Sequence, residues 1–379
     1  MRVLYGVNGE GMGHATRSHV VIDHLLERHD VRVVASGAAL RHLGAVLPRV
    51  DEIFGPTFAM GDGQIRRWQT VVQNVRLARH GLPETVHQWM ALVDEWKPDV
   101  VISDFEPLCG IYARWTRTPL VAVDNINMID RCRHDKEIIG RERDDFLIAR
   151  AVTREMVPGA THYLVLTFFR PPIARRGTSL VPPIVRPEIA RAEPESGDHL
   201  VVYSSGAKRQ IEALRSSGVR CLVYGMRGGP DKPVVDGNLE FRPPSNDGFV
   251  EALRTARGVV AGGGFSLMSE AVYLKKPLLS VPLKGQFEQL MNARYLERLG
   301  FGMCVPSTSK AAIAEFTGRM PEFEQALSGY EQSGNDATLQ AVEEQAIQVA
   351  EAAPRELRRE RRMARRRAPR RHSKGKEAQ

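Results

Sequence analysis

What the sequence has little of rules out several broad classes. Cysteine is scarce: the four in 379 residues are Cys109, Cys132, Cys221 and Cys304, and no two stand at C-x-x-C spacing. That argues against a zinc ribbon or a disulfide scaffold and suits a reducing cytoplasm. Long apolar runs are missing too. A membrane-spanning helix needs about 20 apolar residues, and the longest runs here, such as residues 163–169, are strand-sized. The chain enters a strand-like run at Arg2–Val7 without a basic leader and apolar segment, so no secretory signal is expected. There is no G-K-[ST] triplet, which excludes a P-loop, and no acidic D-x-D triplet to hold a metal.

Net charge is also nearly absent from the body of the chain, although the whole carries +8. Residues 355–379 hold ten arginines and two lysines against three glutamates, a charge of +9, which leaves −1 for everything before them. A near-neutral body argues against specific nucleic-acid recognition. The Arg-rich tail lacks apolar residues to bury and is expected to be disordered. It either aids solubility or docks on an anionic surface, such as a lipid headgroup layer or nucleic acid. Composition is otherwise that of a globular protein, 42% apolar and 26% charged, and the length exceeds one ordinary core, so two domains are expected.

The most informative stretch is residues 259–300. An apolar run ends at Gly262, Gly263 and Gly264, and a helical pattern starts near Ser266 with Leu267, Ala271 and Leu274 on one face. A second apolar run at residues 278–281, a polar turn, and a second helix carrying Glu288, Gln289 and Asn292 follow. Glycines let backbone amides approach a phosphate, and a helix start offers the same anion unpaired N–H groups and positive dipole. Glu270, one turn into the helix, suits a ribose diol, and Glu288 and Gln289 suit other hydroxyls. The stretch reads as a site for a nucleotide joined to something polyhydroxylated.

Those four features resemble the donor-binding motif of GT-B glycosyltransferases, especially the clade of the bacterial lipid-II N-acetylglucosaminyltransferase and the UDP-glucuronosyl and UDP-glucosyl transferases. The resemblance implies that Gly264 and its neighbours take the diphosphate, Glu270 the ribose, and Glu288 with Gln289 the sugar. One departure matters: plant-type members carry a His two residues before the glycine, where this chain has Gly262. An ordinary Rossmann-like unit with a glycine turn is the plainer reading of the same residues.

In the N-terminal half, a buried strand at Arg2–Val7 runs into Gly9, Gly11, Gly13 and His14, followed by a helix. The turn resembles a dinucleotide fingerprint, but the next strand ends in Ala35-Ser36-Gly37, not in the acidic residue that a ribose needs. In the resembled family the glycine turn faces the phosphate side, here through Gly11 and Gly13, and its His faces the acceptor as the catalytic base. His14 stands there, with a near-neutral pKa suited to taking a hydroxyl proton; its other reading is a helix cap or phosphate ligand. A base needs an orienting partner. Asp104, ending the strand-like run 98–104, matches the family's supporting Asp, with Glu106 as runner-up; Asp104 also reads as a helix cap. Asp124 and Asn125 end the next strand at the same edge and suit acceptor contact. Residues 58–96 are mixed and basic, with Arg66, Arg67, Trp68, Arg76, Arg79 and His80 forming either an acceptor or membrane patch or a solvated face.

Helical pattern fills residues 130–156, and 163–168 reads as the last strand of the first domain. Clustered prolines between 171 and 187 then read as a hinge. The next strand delivers Ser204, Ser205 and Gly206, a second anion cradle that in the family lines the diphosphate. Lys208 or Arg209 either supplies charge there or faces solvent. Arg242 begins the loop that frames the nucleobase in relatives. Ser309 caps a short helix, and a helix at 338–351 is expected to cross back onto the first domain.

The expected fold class is therefore α/β with GT-B architecture: two Rossmann-like domains facing across a cleft, a C-terminal helix and a disordered basic tail. The boundaries are an acceptor domain at 1–180, a Pro-rich linker at 181–190, a nucleotide-sugar donor domain at 191–353 and the tail at 354–379. The resemblance implies inverting hexosyl transfer from a nucleoside-diphosphate sugar, a UDP-hexose or UDP-N-acetylhexosamine, to a lipid, glycan or small-molecule hydroxyl. No cofactor and no metal are expected, since helix dipoles and amides meet the diphosphate charge. The implied location is cytoplasmic, peripheral on the inner face of the membrane. A UDP-sugar 2-epimerase and a non-catalytic UDP-sugar-binding protein share the fold and remain alternatives.

Overall fold

The computed structural model describes residues 1–53, 60–61, 64–65, 84–226 and 229–353. The basic residues Arg66 to His80 and the Arg-rich tail lie outside the described residues.

The first sheet contains β1 (Arg2–Val7), β2 (Asp30–Ala35), β3 (Val50–Glu52), β6 (Val100–Asp104), β7 (Leu120–Asp124), β8 (His162–Leu166) and β9 (Thr178–Val181); a two-residue hairpin, β4 (Met60–Gly61) with β5 (Gln64–Ile65), stands apart. Its order is β3-β2-β1-β6-β7-β8-β9, and every pairing is parallel. Such strands need apolar residues on both faces. In β1, Val3, Tyr5 and Val7 enter the core on one side while Leu4 enters the core on the other.

The second sheet contains β10 (Leu200–Tyr203), β11 (Cys221–Tyr224), β12 (Val234–Asp236), β13 (Leu239–Phe241), β14 (Gly258–Ala261), β15 (Leu278–Ser280) and β16 (Gly302–Cys304). Its order is β12-β13-β11-β10-β14-β15-β16, parallel except for the edge strand β12. In both sheets the order reverses beside the first strand, between β1 and β6 and between β10 and β14. Open α/β sheets bind ligands at the carboxyl ends of strands at this point.

Two expectations need correction. Residues 163–168 are not the last strand of the first sheet: β9 follows and pairs with β8, Tyr163 opposite Thr178. The clustered prolines hid it, because they flank β9 at Pro171, Pro172, Pro182 and Pro183 but do not fall within it. Residues 130–156 do not form one helix but run from the end of Met128–Arg131 through Lys136–Ile139 and Arg143–Met156. The second of these stops at Gly140, whose φ of 62° is left-handed. Ser309 caps helix Lys310–Gly318 by accepting from Ala312 N at 3.1 Å. Helix Asp336–Ala352 packs back against β6 and β7 of the first sheet.

Candidate functional site

The acid–base side is built where β1 and β6 end together, with Val7 opposite Asp104. Asn8 continues the pairing, N–H donating to Asp104 O at 3.1 Å and Nδ2 to Phe105 O at 2.9 Å. Gly11, at φ 79°, then turns the chain into helix Met12–Leu26, a backbone conformation that favours glycine. His14 lies on the first turn, its Nδ1 2.8 Å from Asp104 Oδ1.

Asp104 is 1% exposed and gathers further donors: Arg17 Nε at 2.7 Å, Arg17 Nη2, and Ser18 Oγ at 2.9 Å. Burial alone would raise its carboxyl, but Arg17 and His14 hold it well below the usual carboxylate range. Arg17 Nη2 also lies 2.7 Å from His14 Nδ1. A guanidinium only donates and a carboxylate only accepts, so one neutral ring nitrogen cannot serve both. A bare Nδ1 would set its lone pair against an Asp104 oxygen at 2.8 Å, so the proton belongs on Nδ1 and the free lone pair on Nε2. Burial lowers the His14 pKa and Arg17 adds to this, outweighing Asp104. The imidazole is thus neutral near pH 7 and able to accept a proton.

Glu106 does not orient His14. It caps helix Pro107–Thr116, accepting from Leu108 N at 3.0 Å and Cys109 N at 2.7 Å. Asp124 is also committed internally, accepting from Asn127 N at 2.7 Å, whereas Asn125 Nδ2 donates to Leu166 O at 3.0 Å and its Oδ1 has no partner among the described residues. Burial pushes Glu106 and Asp124 each up to about 6.

On the second sheet, β10 and β14 are paired neighbours, Val202 opposite Val260. The turns that follow them, 204–206 and 262–264, therefore leave the same edge of the sheet from neighbouring strands. Ser204 Oγ shapes its turn, accepting from Gly206 N at 3.1 Å and donating to Gln210 Oε1 at 2.6 Å. Gly206 has φ 89°, while Ser205, Lys208 and Arg209 are exposed at the start of helix Lys208–Ser217. At Gly263 a Cβ would fall 2.1 Å from Gln289 O, so only glycine fits. Gln289 Oε1 accepts from Gly263 N at 3.2 Å and Leu283 N at 3.1 Å, and Asn292 Nδ2 donates to Gly263 O at 3.1 Å. Gly264 has open space where its Cβ would stand and leads into helix Phe265–Tyr273.

Glu288, on helix Phe287–Arg298, accepts from Asn292 Nδ2 at 2.7 Å, and burial pushes its carboxyl up to about 7. Asp124 of the first domain adds to that rise and Arg17 opposes it. Glu270 is held by the guanidinium of Arg186, and Arg242 forms an ion pair with Glu240 at 2.7 Å. The two sides meet at Ser266, whose Oγ donates to Gly13 O at 3.2 Å. That contact sets the helix start that carries His14 against the helix start that follows the glycine turn. The sequence reading missed Arg17, whose signal is its place three residues after His14 on the apolar side of a helix. It also missed Arg186, which stands in the Pro-rich segment with nothing in its neighbourhood to mark it.

Two facing Rossmann-like domains with glycine turns at both switch points define the GT-B class. The chain belongs to glycosyl transferase family 1, whose family model matches residues 1–321. It is similar to an uncharacterized glycosyltransferase of Methanosarcina mazei, 24% identical over 347 residues, covering 83% of this chain and 88% of that one. An uncharacterized glycosyltransferase of Methanopyrus kandleri is 29% identical over 153 residues, 38% of this chain and 44% of that one. Among solved structures, the glycosyltransferase of kitacinnamycin superposes with TM-score 0.64 at 14% identity, covering 91% of this chain and 98% of its own. A UDP-glucosyltransferase from Polygonum tinctorium gives 0.63 at 17%, covering 92% and 98%, and VinC in complex with dTDP gives 0.62 at 14%, covering 93% and 100%. The protein is a glycosyltransferase by family. No described helix is long and apolar enough to cross a membrane, and among the described residues no cluster of His, Cys, Asp or Glu could hold a metal.

Proposed function

We propose that the protein transfers a hexose or N-acetylhexosamine from a UDP-sugar to a hydroxyl of a lipid, glycan or small-molecule acceptor, inverting the anomeric carbon without a metal. The observation that carries this is the hydrogen bond from Ser266 to Gly13, which sets a neutral His14 against the start of the helix that follows the glycine turn. His14 Nε2 takes the acceptor proton as the acceptor oxygen attacks the anomeric carbon. The bond to the diphosphate breaks on the opposite face, and UDP leaves with the electron pair. Asp104 stabilises the imidazolium that forms, and Arg17 keeps Asp104 in place.

The leaving diphosphate meets the amides of Gly262 and Gly264, the turn at Ser204, Ser205 and Gly206, Gly11 and Gly13, and two helix dipoles. Glu270 takes the ribose, Glu288 and Gln289 the sugar hydroxyls, and Arg242 borders the base. A screen of nucleotide sugars for UDP release, with and without acceptors, tests the reading. His14→Ala should abolish transfer and leave UDP affinity unchanged; undiminished turnover rejects the base. Isomerisation without acceptor points instead to an epimerase, and UDP binding without release to a non-catalytic protein. The tail would hold the enzyme at the inner membrane face, so co-sedimentation with anionic but not neutral vesicles, lost in high salt, is expected.

A further inference from the structure

Arg186 carries no role in the reaction above. It lies in the segment between the sheets, yet its guanidinium reaches the donor domain, Nε to Glu270 Oε1 at 2.7 Å and Nη2 to Oε2 at 2.6 Å. Nη1 donates to Asn246 Oδ1 at 2.8 Å, at the start of helix Asn246–Arg254, and the guanidinium stands 5.4 Å from the Phe249 ring. Its backbone is pinned on both sides. Val185 exchanges two hydrogen bonds with the buried side chain of Asn335, at 3.0 and 2.8 Å. Pro187 holds Arg186 extended, at φ −58° and ψ 147°. The side chains of Arg186 and Glu270 are 16% and 5% exposed, so this is a built pair, unlike the freely solvated ion pairs of a surface.

We propose that Arg186 is a positioning residue that sets the donor site's preference for ribose over 2′-deoxyribose. This rests on the reading of Glu270 as ribose ligand. A carboxylate has about four acceptor positions. The fork uses one on each oxygen and fixes the plane of the group, which leaves one on each oxygen, pointing apart, so that one of them takes the 2′-hydroxyl. A 2′-deoxynucleotide leaves that position empty in a buried site. Without the fork the carboxylate turns freely and no longer meets the 2′-hydroxyl in one fixed orientation. Lysine restores the charge as a point donor but not the two-point alignment. Through Asn246 the same guanidinium ties the ribose position to the helix that follows the Arg242 loop.

Calorimetric titration of the full chain with UDP and with 2′-deoxy-UDP tests this. The wild type should favour UDP by about tenfold to a hundredfold, the worth of one hydrogen bond to a charged group. Arg186→Met should bring that ratio within about threefold, Arg186→Lys should give an intermediate ratio, and Glu270→Gln should lose it. If Arg186→Met keeps the wild-type ratio while Glu270→Gln loses it, the positioning role is overturned and the ribose reading stands. If Glu270→Gln keeps the ratio, or the wild type does not discriminate, the ribose reading falls and the proposal with it. Should Arg186→Met not fold, a wild-type ratio in Arg186→Lys overturns the role.

Discussion

Replacing Glu288 by glutamine should stabilise the folded chain at alkaline pH and change little at acid pH. Burial lifts this carboxyl from 4.5 to about 7, reinforced by Asp124 and opposed by the Asn292 hydrogen bond and by Arg17. Below about pH 4.5 both folded and unfolded chains hold the proton, and the group adds no pH dependence. Between that value and about 7 the unfolded chain releases its proton while the folded chain keeps it, so stability falls as pH rises. Above that range the loss is complete, roughly 3 kcal/mol for a displacement of this size. Glutamine keeps a carbonyl acceptor for Asn292 Nδ2 and does not ionise. Unfolding free energies from urea melts at pH 5 and pH 8.5 give the advantage of the variant at each. That advantage should grow by about 2–3 kcal/mol between them. Glu106 titrates in both chains and cancels in the comparison. An advantage equal at both pH values would refute the reasoning, because Glu288 would then ionise as readily folded as unfolded.

Arg17→Met strands Asp104, 1% exposed, without its cation, and should cost about 3–5 kcal/mol in a urea melt; a chain as stable as wild type would contradict the Arg17–Asp104 account. Gly263→Ala drives a Cβ to 2.1 Å from Gln289 O, a backbone atom that cannot swing away. UDP affinity should fall at least about tenfold by calorimetry, and undiminished binding would remove this turn from the donor site. Because burial lowers His14 below 6.5, kcat/KM should drop toward acid pH with an apparent pKa under that value; an acid limb lying above it argues against His14 as the base.

The parts of the site that the sequence makes legible are those fixed by local spacing. A strand, a glycine turn and a helix set His14 and Gly264 at the same relative place whatever packs around them, and Asp104 shows as a carboxylate ending a buried run. The parts that stay hidden depend on which face of an element is covered by something distant. Arg17 stands on the apolar side of its helix, but its partner stays hidden until Asp104 is known to stand beneath it. Arg186 reads as one of several linker cations until Glu270 is known to point at it. Glu343 is a third case: it lies on the same helix as Leu339, Val342 and Ala346, and its burial makes sense only with His24, Arg28 and His29 of the first domain around it. β9 is hidden for another reason, since prolines on both sides of a short strand look like a linker when they only bound it.

A switch point by itself makes a crevice and no chemistry; transfer needs two crevices turned toward each other and kept there. Phe168 stacks on Phe265 at 5.9 Å, Phe169 on Tyr295 at 4.0 Å, and His134 Nδ1 pairs with Tyr295 OH at 2.8 Å. Arg294 donates to Ile138 O and Ile139 O at 2.9 and 2.8 Å. Helix Asp336–Ala352 then returns to the first domain, where Glu343 meets His24 and His29 at 3.0 Å each. None of these groups is assigned to donor or acceptor, so substrates need not disturb what holds the domains in register. The Ser266–Gly13 hydrogen bond is different, for it spans the gap from turn to turn. Aromatic stacks and the hydrogen bonds of Arg294 and Glu343 thus carry the orientation, while the contact at the mouth is a single neutral hydrogen bond worth only about 1 kcal/mol. Positioning a base within reach of the bond that forms is where much of a transfer barrier is removed. Here that positioning is built mainly from contacts that lie outside the gap.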